Sequence, residues 1–233
     1  MFSPKTLNER PDYIQKRIQK ASISAGRKPK EITLVGITKS FPMKIWDLAL
    51  NVNLTTLGES RIQETIEKAK TFKKRDKIEL HFIGHLQSNK VRKAIELFDV
   101  IQTVDSIKLA GRINSICKES QTRQHIYLQV NTGADPQKHG ILVKNANSVA
   151  QEITKMENLI LEGIMTIPPY NVARTELSMI YRKTRKIRDK IRSIINDNCQ
   201  NLSMGMSNDY EMAIAEGSTH IRIGTGLFGQ RPQ

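Results

Sequence analysis

The sequence predicts an α/β protein: a single (β/α)8 TIM barrel with an extra helix before its first strand. Three observations predict it. Eight short apolar runs, rich in β-branched residues, recur along the 233 residues. Most are apolar almost throughout, as strands buried on both faces are. Helical apolar spacing fills the intervals between them, and such alternation gives parallel strands joined by crossover helices. Eight units in a chain of this length suit a closed barrel, which commonly takes ~250 residues, better than an open doubly wound sheet.

An amphipathic helix over 8–25 comes first. The strand runs are ITLVGIT (32–38), TTLG (55–58), ELHFIGH (79–85), VIQTVD (100–105), HIYLQVN (125–131), LEGIMTI (161–167), NLSMGMS (201–207) and HIRIGTG (220–226). Helical patterns are expected over 43–51, 61–74, 89–98, 107–120, 143–156, 174–192 and 210–216. The apolar members recur three and four residues apart, as in Leu109, Ala110, Ile113 and Ile116. No Pro/Gly/Ser-rich linker interrupts the chain, so residues 1–233 are read as one domain.

Charge and composition narrow the function classes. The chain carries 37 basic and 23 acidic side chains, a net charge of +14. Much of the excess lies in 174–192, where Arg182, Lys183, Arg185, Lys186, Arg188 and Lys190 alternate with Leu177, Ile180, Tyr181, Ile187 and Ile191. That is a surface helix with an apolar face and a solvated basic face. No zinc-finger spacing, RNP-type aromatic run or basic-zipper heptad accompanies it, so no specific nucleic-acid partner is expected. Apolar runs fall short of the ~20 residues that span a membrane. The N-terminal stretch lacks the apolar centre of a secretory signal. A cytoplasmic protein with no membrane partner is expected. Cys117 and Cys199 form no C-x-x-C and read as free thiols.

Barrel active sites form at the C-terminal ends of the strands. Lys39 directly follows the first run, so its side chain is aimed into the mouth. Partial desolvation there lowers a lysine's pKa and frees its amine for carbonyl addition. The seventh run leads into Ser207, Asn208 and Asp209, all N-cap types. The eighth ends in Gly224, Thr225 and Gly226. Phosphate sites of these barrels often lie after strands seven and eight. Arg222 shares a strand face with Gly224 and should point inward below it, where it needs an acceptor: a ligand ring nitrogen or, without a ligand, a barrel carboxylate. His81 and His85 are four apart on a strand pattern with no third ligand in view, so no metal site is expected. Lys138 and Gly140 read as a turn after the fifth run, with contact to an incoming anionic ligand as the alternative. Glu59 and Asp105 read as partners for basic barrel residues.

The motifs EITLVGITKS (31–40), LGESRIQE (57–64), HFIGHLQSNK (81–90), EGIMTI (162–167), SMGMSNDYEMAIAEGS (203–218) and IRIGTGLFG (221–229) resemble the pyridoxal phosphate homeostasis family. That family is related to the N-terminal barrel of alanine racemase, and the likeness runs through nearly the whole chain. It implies pyridoxal 5′-phosphate (PLP) as cofactor, held as a Schiff base on Lys39. It implies phosphate contacts from Ser207, Gly224 and Thr225, and Arg222 at the pyridine nitrogen. Ser60, Met165 and Met206 are implied as further pocket residues. Where the family usually reads FGEN this chain reads LGES, so Ser60 replaces an asparagine beside the cofactor.

The resemblance implies a monomeric carrier that buffers PLP or delivers it to PLP-dependent client enzymes. The competing reading is a weak racemase-like enzyme. Racemisation uses the pyridine ring as an electron sink. An arginine at the ring nitrogen disfavours the proton that makes the sink strong. The β domain that supplies alanine racemase with its second base is not expected in these 233 residues. The carrier is the preferred expectation, with no catalytic residue assigned.

Overall fold

The eighth apolar run, some 190 residues after the first, lies beside it in space, and this pairing closes the sheet. The computed structural model describes residues 4–195 and 199–231. Strands β1 (Thr33–Ile37), β2 (Thr56–Glu59), β3 (Glu79–Phe82), β4 (Val100–Val104) and β5 (Gln124–Asn131) follow in order. A two-residue β6 (Ile141–Leu142) precedes β7 (Leu159–Met165), β8 (Asn201–Ser203) and β9 (His220–Ile223). The order β4-β3-β2-β1-β9-β8-β7-β5 is closed by pairing of β4 with β5. Every described pairing is parallel. The result is a closed (β/α)8 barrel, and β6 adds to the edge of β5 outside the ring. Two residues leave no periodic signal, so sequence does not predict β6.

Several strands are shorter than their apolar runs, for steric reasons. The seventh stops at Ser203 because Gly205 turns the chain at φ +94, a region that favours glycine. The third stops at Phe82, before Gly84 passes close to the next turn. A Cβ on Gly84 would lie 2.2 Å from the Ser60 carbonyl oxygen.

The helices α1 (Pro4–Ser24), α2 (Ile45–Asn51), α3 (Ile62–Thr71), α4 (Val91–Leu97) and α5 (Ile107–Glu119) match the first expected patterns within a few residues. So do α6 (Ala146–Thr154), α7 (Arg174–Ile194) and α8 (Tyr210–Ala215). A one-turn helix, α9 (Thr225–Phe228), begins where the glycines predict only a turn. Ser106 caps α5, accepting a hydrogen bond from the Leu109 amide at 3.2 Å. On α7, Ile180, Tyr181, Ile187 and Ile191 are buried. Its basic face is partly neutralised: Arg182 and Arg185 meet Glu216 at 2.9 and 3.8 Å, while Lys183, Lys186 and Lys190 stay exposed. Helix α1 covers the last βα unit, with Arg17 forked onto both Glu211 oxygens at 2.8 Å. Among the described residues no helix is long and apolar enough to cross a membrane. Cys117 and Cys199 are free and buried, and burial pushes the Cys199 thiol up to about 12.

Candidate functional site

Strand alternation puts Val35, Ile37 and Lys39 on one face. Val35 and Ile37 are buried inside the barrel, against the space where Gly58 lacks a Cβ. Lys39 therefore tops an interior column at the barrel mouth and is half-buried. Burial holds its amine below the ordinary lysine value, and the positive charges of Arg231, Arg61 and Arg222 lower it further, against the opposing pull of Glu59.

The residues on either side of Lys39 are tied to a buried network behind the barrel wall. Thr38 faces outward and donates to Glu59 Oε1 at 2.8 Å. Trp46 Nε1 lies 3.3 Å from both the Thr38 hydroxyl and Glu59 Oε1. Lys68, on α3 and fully buried, donates to Glu59 and Glu64 at 2.7 Å and to the Thr38 carbonyl at 2.8 Å. Glu64 also accepts the Ser40 amide at 2.5 Å. Ser40 sits at φ 62, a left-handed conformation that costs a non-glycine residue about 1–3 kcal/mol unless its surroundings hold it. The clamp on its amide provides that hold. Burial raises the Glu59 carboxyl, and Lys68 opposes the shift. The partner expected for Glu59 is thus Lys68. A lysine among the many charged residues of 61–74 carries no mark of burial in the sequence, so the fold alone reveals this partner.

Arg222 points inward from β9 as expected, but its acceptors are neutral. It donates to Ser203 Oγ at 2.7 Å and to the Thr166 carbonyl at 2.8 Å. The carboxylate contact expected without a ligand is replaced by these two bonds. Asp209 and Tyr181 act on it only through the field. Burial draws the guanidinium down to about 10, so it stays charged at neutral pH. Ser203 has one hydroxyl proton. Having accepted from Arg222, it donates to Gln102 Oε1 at 2.6 Å. That fixes the amide so that Gln102 Nε2 faces His81 Nδ1 at 2.6 Å. A polar chain from β9, β8, β4 and β3 therefore crosses the barrel interior beneath the mouth.

The two glycine-rich segments come together. A Cβ on Gly226 would lie 3.5 Å from Ser207 Oγ, and one on Gly224 would lie 3.3 Å from the Ile37 carbonyl oxygen. Ser207 and the start of α9, with Thr225 as its first residue, thus adjoin each other and the end of β1. Asp209 holds the preceding turn by accepting the Met206 amide at 2.6 Å. Met206 and Ser60 are half-buried near the mouth. Met165 is fully buried against Val100 and Tyr127, deeper than a rim position. Gly140, at φ 132, lets its loop pass close to β5, where a Cβ would lie 2.7 Å from the Asn131 amide nitrogen. Lys138 gives its carbonyl to Asn131 Nδ2 at 3.2 Å, so both residues shape the turn. A cavity of about 550 Å3 lies at the opposite end of the barrel, among Glu79, His81, His125, Tyr127 and His220. In such barrels that end serves stability rather than chemistry.

The alanine racemase N-terminal-domain family matches residues 36–232. A pyridoxal phosphate homeostasis protein of Aquifex aeolicus is 36% identical over 223 residues, 96% of this chain and 97% of that one. The chain belongs to the pyridoxal phosphate homeostasis family. Two solved structures agree in shape. A protein of unknown function from Bifidobacterium adolescentis superposes with a TM-score of 0.92 at 32% identity, covering 97% of this chain and 95% of that one. PipY of Synechococcus elongatus, solved with PLP bound, gives 0.82 at 31% identity, covering 93% of this chain and all of that one.

The mouth fits a phosphorylated aldehyde. Burial and neighbouring positive charge ease loss of the ammonium proton, which carbonyl addition requires. The arginines around it supply positive charge for an anion. The absent Cβ at Gly226 leaves the hydroxyl of Ser207 open toward the start of α9.

Proposed function

We propose that this chain binds PLP at the barrel mouth and serves intracellular PLP homeostasis, buffering the cofactor or handing it to client enzymes. The observation that carries this reading is that Gly224 closes on the end of β1 and Gly226 on Ser207, beside a Lys39 amine lowered by burial and three arginines. Lys39 holds the cofactor as a Schiff base. Ser207, Gly224 and Thr225 hold its phosphate, and Arg222 faces its ring nitrogen. Ser60 and Met206 line the pocket, and Met165 supports it from below. The protein works as a single-domain cytoplasmic monomer, with its basic helix face left to solvent.

Bound PLP supplies an electron sink for amino-acid chemistry. Arg222 weakens that sink. It is buried, charged and fixed by Ser203 and Thr166, so it presents donors rather than a carboxylate to the ring nitrogen. Carrier function follows rather than turnover. Incubation of the PLP-loaded protein with L-alanine in heavy water should give little α-proton exchange by NMR. Chiral chromatography should find almost no D-alanine. Interconversion at ordinary enzyme rates of roughly 1–10³ s⁻¹ would replace the carrier with a racemase.

The phosphate assignment has its own test. Ser207→Ala and Thr225→Ala each remove a charge-assisted hydrogen bond of about 1.5–3 kcal/mol, so each should weaken PLP binding roughly tenfold or more. Absorbance titration measures this. Pyridoxal, which lacks the phosphate, should bind both variants nearly as it binds the wild type. Equal losses for the two ligands would put the phosphate elsewhere.

A further inference from the structure

We propose that His85, Asp105 and His139 form a binding site for a first-row divalent transition metal, of the zinc class, on the barrel rim across from Lys39. Sequence spacing pairs His81 with His85, and the fold separates them. His81 is buried in the barrel interior beside Gln102, whereas His85 is exposed beyond the end of β3. Its neighbours there come from the next two strands. Asp105 directly follows β4, and His139 lies in the loop after β5. In the barrel order β5 is four strands from β1 in either direction, so this cluster and the lysine occupy opposite sides of the mouth.

Three donor atoms gather at one place on the rim. His85 Nδ1 lies 3.4 Å and His139 Nδ1 3.8 Å from the same oxygen, Asp105 Oδ2. All three donor atoms fall within 4.8 Å of one another. The imidazoles stack face to face, 3.9 Å between centroids and 13° between planes, so their in-plane lone pairs run side by side and capture of an ion turns one of these exposed rings. A hydrogen bond would draw nitrogen and oxygen to about 2.7–3.2 Å. Tetrahedral zinc, with bonds of about 2.0–2.2 Å, sets its donors roughly 3.3–3.6 Å apart. The His85 distance of 3.4 Å is too long for the first and falls within the second, and the His139 distance of 3.8 Å lies just beyond it.

The scaffold sets these positions without help from a ligand. Thr103 Oγ1 donates to the Gly84 carbonyl at 2.5 Å, fixing the backbone next to His85. Ser106, next to Asp105, caps α5. Gln129 Nε2 donates to the His139 carbonyl at 3.0 Å, and Asn131 gathers the same loop through Asp135 and Lys138. Both histidines remain about half exposed, so an ion can reach them. Two imidazoles and one carboxylate suit zinc, nickel, copper or iron(II), and do not suit magnesium or calcium. Three protein donors leave a position open for water or an anion.

The test is calorimetric titration of the untagged full-length chain with zinc chloride. Cobalt(II) absorption of the cofactor-free protein is a second readout of ligand geometry. The wild type should bind one equivalent, and excess magnesium should not displace it. Loss of a partner that only orients a ligand costs 10–100-fold in metal affinity. His85→Gln, His139→Gln and Asp105→Asn should therefore each lose at least about tenfold. The double variant H85Q/H139Q should lose the site. Melting temperature and PLP absorbance of these rim variants should match the wild type, separating this result from any failure of the PLP reading. The proposal is overturned if the wild type takes up no zinc. It is equally overturned if the variants bind as tightly as the wild type, since the ion would then sit elsewhere, for example on the histidines at the other end of the barrel.

Discussion

Lys39→Ala is expected to abolish the covalent PLP adduct and leave the barrel folded. The visible band that appears when PLP is added to the wild type should be absent. Borohydride should fix no cofactor mass on the variant. The fold should survive because the side chain tops the mouth and is only half-buried. Linkage points the same way. The folded-state pKa of Lys39 is lowered, so the unfolded chain binds more protons over the interval between the two values. The cofactor-free protein therefore carries a penalty at neutral pH that fades as pH rises toward the ordinary lysine value near 10.4. Removing the amine removes the penalty, and the melting temperature of the variant at pH 7 should equal or exceed that of cofactor-free wild type. A borohydride-fixed lysine adduct at full occupancy in Lys39→Ala would refute the assignment.

The second large effect is expected at Lys68, buried behind the barrel wall and bonded to the main chain next to Lys39. Lys68→Met leaves Glu59 buried with its main counter-charge gone, and cutting one partner from a buried ion pair costs about 3–5 kcal/mol. For a domain of this size each kcal/mol moves the melting temperature by roughly 2–4 °C, so a drop of roughly 6–20 °C is expected. Lys68 also holds the Thr38 carbonyl, and Glu64 links it to the Ser40 amide. Surviving folded protein should therefore bind PLP more weakly. Adding Glu59→Gln removes the stranded charge, so the double variant should recover much of the stability. The cofactor affinity should stay low, because the Thr38 tether is still missing. A single variant that melts within about 1 kcal/mol of the wild type would show that the network carries little.

The barrel was legible because its strands are buried on both faces, and such strands leave unbroken apolar runs between helical stretches. Lys39 was legible for the same reason: a charged residue ending a run such as ITLVGIT marks the strand's exit. Arg222 was placed inward by simple alternation. Its acceptors were not, since a serine hydroxyl and a main-chain carbonyl from two other strands leave no mark in sequence. Lys68 was hidden because a buried lysine looks like the solvated face of α3 until its two glutamates are seen. The start of α9 was hidden because glycines before a helix and glycines in a turn read alike. His85, Asp105 and His139, 20 and 34 residues apart, share no local pattern and meet only because β3, β4 and β5 are neighbours.

The pairing of β1 with β9 has a consequence for the order in which the protein is made. Lys39 and Arg222 are 183 residues apart in the sequence, yet Val35 of β1 pairs directly with Arg222. At about 5–20 residues per second, the lysine is synthesised roughly 10–40 s before the strand that completes its surroundings. During that interval it is an ordinary solvated amine on a growing chain, with no Ser207 and no α9 beside it. Any aldehyde it captures then is held by one reversible bond alone. On the proposed assignment, full retention of PLP waits until β9 has paired with β1.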